Sequence, residues 1–129
     1  MIASTEVRDE LKRSQITNSL SLPCMQLSAF PSTKGFEISA LVRLDLSYNN
    51  ISMLPKEIGD MRSLRELWLH DNPLMHLSPI IAQCESLEVI DIRKTRVASL
   101  PDEICLLKKL YELDFSDTPL QPLLGTKLC

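Results

Sequence analysis

The sequence predicts an α/β solenoid: a curved parallel sheet with one short strand per turn of the chain, and short helices or helical turns on the outer side. Three observations predict it. Leu41, Leu44, Leu46, Asn49, Ile51 and Leu54 form a spaced set in LVRLDLSYNNISML, and the set returns from Leu64, from Leu87 and from Leu110. Starts at 41, 64, 87 and 110 give an unbroken period of 23 residues, the mark of a repeat architecture. Each copy also alternates apolar and polar residues, as in Leu44-Asp45-Leu46, which is strand patterning. The intervening segments repeat as well: Ile58, Ile81 and Ile104 recur in register, and so do Met61, Cys84 and Leu107. Strands that recur at fixed spacing, each followed by a return segment, pair side by side in parallel. A single copy cannot bury its own leucines, so stacked neighbours supply one continuous core.

Residues 1–16 read as an N-terminal capping helix or tail. Val7 and Leu11 lie one helical turn apart, Ser4 or Thr5 can cap the start, and charged residues crowd the rest. No apolar run follows Met1, so no secretory signal is read. Residues 17–129 form the repeat domain. Its first part, 17–40, is a degenerate copy in which Leu20, Leu22, Leu27, Phe30 and Pro31 match Leu44, Leu46, Ile51, Leu54 and Pro55. Thr17 stands at the leading leucine position, Met25 stands at the asparagine position, and Ser32 to Gly35 reads as the loop. In the full copies Asn49 and Asn72 sit where the chain leaves the strand, and their amides are placed to bond backbone groups of neighbouring turns. Thr95 and Thr118 replace them in the last two copies, predicting a weaker ladder there. The copy starting at 110 is incomplete by the period. Leu120, Leu123, Leu124 and Leu128 lack an evident cap, so a neighbouring subunit, self-association or a longer array is expected over that end.

A length of 129 residues permits one domain, with 44% hydrophobic and 24% charged residues suiting a packed core under a solvated surface. A net charge of −3 and a pI near 5.4 argue against a nucleic-acid binder, which needs a basic stripe to neutralise phosphates. No apolar stretch approaches the roughly 18 residues of a membrane span, so no membrane partner is expected. Cys84 aligns with Met61 and Leu107 as a core residue, and Cys105 aligns with Gly59 and Ala82 in a small buried slot, while Cys24 reads as exposed. There is no CxxC and no close Cys/His spacing. No metal and no cofactor are expected.

Function is expected on the outward residues of the strands. Reading across the copies, one column is Arg43, Glu66, Val89 and Glu112, and the next outward column is Asp45, Trp68, Asp91 and Asp114. Beyond them come Ser47, His70, Arg93 and Ser116, then Tyr48, Asp71, Lys94 and Asp117, with Val42, Arg65, Glu88 and Tyr111 on the other side. These columns carry four basic and eight acidic residues, a face of −4. Trp68 is the only tryptophan and falls in the middle of the face. A large aromatic ringed by polar residues is hot-spot composition. It is the candidate protein-binding anchor, flanked by Asp45, Asp91 and His70, with Tyr48, Arg93 and Tyr111 in reach. Arg43, Glu66, Asp71 and Asp114 complete the candidate set. The plain alternative is a tryptophan that packs on its neighbours and aspartates that solvate the surface. Catalysis is not expected, because a triad needs a nucleophile, base and orienter converging on one pocket, and an open repeated face offers none.

The stretches LPKEIGDMRSLRELWL and LPDEICLLKKLYELDF have the form LPxxIxxLxxLxxLxL. They resemble the leucine-rich-repeat family, in particular the intracellular Ras-group scaffolds with repeats of this length. The resemblance implies a leucine-rich-repeat solenoid and a scaffold or adaptor that binds proteins along the concave face. It also implies no catalysis by the repeats and, with cysteines not clustered in caps, a cytoplasmic setting. The expected partner is a protein with a basic or aliphatic patch. Two rival readings stand beside it: a structural subunit built permanently into a large assembly, and the recognition part of a larger receptor or enzyme.

Overall fold

The computed structural model describes residues 4–120, and every pair of neighbouring strands in it is parallel. Helix α1 spans Ser4–Thr17, and strands follow at Ser19–Ser21 (β1), Arg43–Asp45 (β2), Glu66–Trp68 (β3), Val89–Asp91 (β4) and Glu112–Asp114 (β5). They form one sheet in the order β1-β2-β3-β4-β5. Leu20, Leu44, Leu67, Ile90 and Leu113 face one another across the sheet, which is the register read from the repeat. From β2 onward, the outer segments between strands make one 3-10 turn each, at Lys56–Asp60, Pro79–Gln83 and Asp102–Leu106. The molecule is the leucine-rich-repeat solenoid the periodicity predicts.

The repeated apolar positions are the core. Leu44, Leu46, Ile51, Ile58, Met61 and their counterparts Leu67, Leu69, Leu74, Ile81 and Cys84 are all fully buried. The outer turns pack closely enough to demand a small residue: a Cβ on Gly59 would come within 2.8 Å of Gln83 Oε1 and of Ile80 Cδ1 in the next turn. In the same column Ala82 and Cys105 are half-buried, so Cys105 does not fill a closed slot as its alignment suggested. Cys84 does lie in the core, where its Sγ donates to Ile58 O at 3.1 Å and burial pushes the thiol up to about 11. Cys24 is an exposed free thiol. A thiol-labelling reagent at neutral pH is therefore expected to modify Cys24 in the native protein and to spare Cys84 until it unfolds, because the thiolate is the nucleophile; mass mapping of native and denatured samples checks this.

Asn49 and Asn72 tie the turns together as their position suggested. Asn49 Nδ2 donates to Leu22 O and Leu46 O, and its Oδ1 accepts from the N–H groups of Met25 and Leu27. Asn72 Nδ2 donates to Leu46 O at 2.9 Å and Leu69 O at 3.0 Å, and its Oδ1 accepts from Ile51 N–H at 3.0 Å. Thr95 Oγ1 donates to Ile92 O and Thr118 Oγ1 to Phe115 O, both inside their own repeat. A hydroxyl carries one hydrogen, so it has no second one for the preceding turn.

At the N-terminal end α1 packs on β1 through Val7 and Leu11, which are buried. Thr17, read as the leading position of the degenerate copy, is the last residue of this helix. Asn18 then turns left-handed at φ 59°, with its N–H donating to Ser14 O, a helix C-cap of the kind Asn tolerates. Gln15 ties the helix to the loop by donating to Glu37 O and accepting from Glu37 N–H. Of the residues on which the expectation of an uncapped end falls, Leu120 is half-buried, and Leu123, Leu124 and Leu128 lie outside the described residues.

The concave face as candidate interaction site

Each strand places its first and third residues outward, so the face is built from short rows running across the repeats. The aspartate row has a local task. Asp45 Oδ1 accepts from the N–H and the Oγ–H of Ser47, and Asp114 does the same for Ser116. Asp91 Oδ1 accepts from Arg93 N–H, and its carboxylate also takes the Arg93 Nε–H at 3.0 Å. These carboxylates fold the chain back at the end of each strand, an Asx-type turn. The Ser116 hydrogen bonds hold the Asp114 carboxyl below its ordinary range. Asp91 is only 3% exposed, so of the candidate residues it is the least able to meet a partner.

The arginines are engaged with acids of the adjacent repeat. Arg43 Nη1 lies 3.3 Å from Glu66 Oε1, and its Nη2 lies 3.7 Å from Asp45. Arg65 reaches Glu88 at 3.6 Å, and Arg93 reaches Asp91 at 2.9 Å and Asp114 at 3.5 Å. Opposite charges one period apart were legible in the columns as a pairing signal. The consequence for recognition is that the basic groups of this face are mostly neutralised from within, leaving its outward character acidic.

Trp68 occupies the centre of the sheet in the position where β2, β4 and β5 carry aspartate. It is half-buried. The Arg43 guanidinium lies over its ring, 5.2 Å from the centroid, and its Nε1–H donates to Glu66 Oε1 at 3.1 Å. The indole is thus supported by Arg43 and Glu66 and remains partly exposed. Beside it His70 makes an edge-on contact with Tyr48, ring centroids 5.1 Å apart, and its Nδ1 lies 2.7 Å from Asp71 Oδ2. Tyr48 and Tyr111 are exposed, at 55% and 74%. The structure thus brings Arg43, Asp45, Glu66 and Trp68 together as one group, Tyr48, His70 and Asp71 as a second, and Asp91, Arg93 and Asp114 as a third. Tyr111 stands at the β5 end of the face, exposed.

Tyr48, Asp71, Lys94 and Asp117 share a left-handed backbone, with φ between 53° and 59°. Their N–H groups reach the next turn: Tyr48 to His70 O, Asp71 to Arg93 O and Lys94 to Ser116 O. The column was read from the repeat register, but its left-handed conformation was not, because no glycine marks it.

Among the described residues no helix is long and apolar enough to cross a membrane, and no group of three or more His, Cys, Asp and Glu side chains is arranged to hold a metal ion.

Comparison with known proteins agrees with this architecture. The leucine rich repeat family model matches residues 17–74. A leucine-rich repeat and calponin homology domain-containing protein of Drosophila melanogaster is 40% identical over 62 residues, which is 48% of this chain and 8% of that protein. Human leucine-rich repeat protein 1 is 47% identical over 49 residues, 38% of this chain and 11% of that one. A solved leucine-rich-repeat protein of Leptospira interrogans superposes with a TM-score of 0.67 at 27% identity, covering 87% of this chain and 34% of the other. The family's pattern is matched over residues 17–74 and the fold is that of a leucine-rich-repeat solenoid, while the matched stretches span only a small fraction of the curated relatives' length.

Proposed function

We propose that this chain is a non-catalytic protein-interaction module, a scaffold or adaptor that holds a partner protein against its concave face. The observation that carries the reading is Trp68: a single indole at the centre of the sheet, half-buried, in the row where neighbouring repeats use aspartate to close their own turns. Exposed Tyr48 and Tyr111 extend the same face. Aromatic anchors surrounded by polar side chains are the composition of binding hot spots. A partner segment bearing basic or aliphatic groups matches the face charge of −4. A hydrolytic reading gains no support from the hydroxyls here, since Ser47 and Ser116 donate to Asp45 and Asp114 rather than to a histidine.

Affinity capture from native extract with the wild-type chain and with Trp68→Ala tests this, with circular dichroism confirming that both fold. Losing an anchor costs about 2 kcal/mol or more, so a discrete partner is expected to disappear from the variant. Equal recovery of that partner by both chains overturns the Trp68 reading.

A further inference from the structure

The group around Trp68 is a cation site that the protein fills with its own side chain. The Arg43 guanidinium lies over the indole at 5.2 Å. It is bracketed by Asp45 Oδ2 at 3.7 Å and Glu66 Oε1 at 3.3 Å. Glu66 is in turn oriented by the Trp68 Nε1–H. An aromatic face with two carboxylates on its rim is the environment that a planar, delocalised cation prefers, because it stacks and donates in its own plane at once. That a guanidinium already rests there shows that the slot fits one. Arg43 is loosely held in it: its side chain is 40% exposed and its partner Glu66 38% exposed. Exposed ion pairs of this kind are weak, and the arginine stem has the freedom to swing aside.

From this we infer that the concave face recognises an arginine side chain of its partner, and that Arg43 is the intramolecular stand-in which that arginine displaces. The inference rests on the protein-binding reading and names the partner's chemistry: a segment that presents a guanidinium to Trp68, Asp45 and Glu66. Arg43 accordingly lowers affinity for such a segment by occupying the slot, so the competent state is only a fraction of the population.

The test uses a probe that needs no knowledge of the partner. N-acetylarginine amide is titrated into the wild-type chain and into Arg43→Ala, with the fluorescence of Trp68, the only tryptophan, as the readout. N-acetylcitrulline amide, the same shape without charge, is the control. The variant is expected to show a saturable change with the arginine probe at least about five times tighter than wild type, the factor removed with the competing side chain, and no saturable change with citrulline. Absence of a saturable response in a folded variant overturns the inference. So does an equal response to citrulline, or a wild-type affinity matching the variant's. If Arg43→Ala loses its native circular dichroism, Arg43→Met keeps an apolar stem over the ring without the cation, and the same readings decide. The outcome is separable from that of the capture experiment. Failure of the titration leaves a Trp68-dependent partner in place, whereas equal capture by Trp68→Ala removes the partner reading and leaves the slot chemistry standing.

Discussion

Replacing Asn72 with alanine is expected to destabilise the fold by about 2–5 kcal/mol, although the side chain lies on no candidate site. The amide serves two repeats at once. Its Nδ2 donates to Leu46 O in the preceding turn and Leu69 O in its own, and its Oδ1 accepts from Ile51 N–H. Asn72 is 4% exposed, so these backbone groups have little access to water when the amide is removed. Each buried group left unpaired costs about 1–3 kcal/mol, and two are at stake, Leu69 O and Ile51 N–H, since Leu46 O keeps the hydrogen bond from Asn49 Nδ2. Asn72→Thr supplies the informative contrast. Thr95 and Thr118 show that a hydroxyl at this position bonds the carbonyl of its own repeat, so threonine keeps one of the three contacts and is expected to cost less than alanine. Urea unfolding followed by Trp68 fluorescence measures both. A lower midpoint at unchanged slope reports lost stability, whereas a changed slope reports a change in the folded or unfolded state. An alanine variant within about 0.5 kcal/mol of wild type would show that neighbouring groups or water replace the amide at little cost.

Much of this architecture was legible because one period governs it. The register Leu44–Leu67–Ile90–Leu113 follows directly from copies spaced evenly along the chain, and so do the outward columns. What could not be read is what the outward side chains do with one another. The row Asp45, Asp91, Asp114 looks like surface charge in the sequence, but in the fold each carboxylate closes the turn two residues on, and Asp91 is buried under Arg93. Nothing in residue type distinguishes a solvating aspartate from one used in this way. Trp68 was identifiable as unusual, since it interrupts that row, yet its covering by Arg43 depends on rotamers that no pattern encodes. The left-handed positions were hidden for a different reason. Tyr48 and Lys94 adopt φ near 55° because their N–H groups must reach the carbonyls of the next turn, so the repeat imposes the conformation against the residue's own preference. The α1 boundary was blurred because the degenerate copy begins inside the helix, at Thr17. The left-handed turn at Asn18, rather than the periodicity of the repeats, ends that helix.

A second large effect is expected at Leu67, and it separates the centre of the described sheet from β5. Leu67 is fully buried at the centre of β3, opposite Leu44 on one side and Ile90 on the other. Truncation to alanine removes a side chain packed between two neighbouring repeats, and the backbone around it cannot collapse without breaking the register of both. A loss of about 3–5 kcal/mol follows from the usual range for buried leucine. That is a large part of the total for a domain of this size, about 5–15 kcal/mol. Leu113 occupies the same register position in β5 and is half-buried, so Leu113→Ala begins from less buried area and is expected to cost about 1–2 kcal/mol. In a stacked array stability is the sum of repeat terms and nearest-neighbour interfaces, so the central position carries two interfaces that the substitution weakens together. Chemical unfolding of the two variants side by side measures the difference. If Leu113→Ala proves as damaging as Leu67→Ala, burial at the β5 end is as complete in solution as at the centre, and the gradient of packing along the sheet does not govern stability. If Leu67→Ala alone splits the transition into two phases, the repeats on either side of β3 unfold as separate units, and the cooperativity of the array depends on this one layer of leucines.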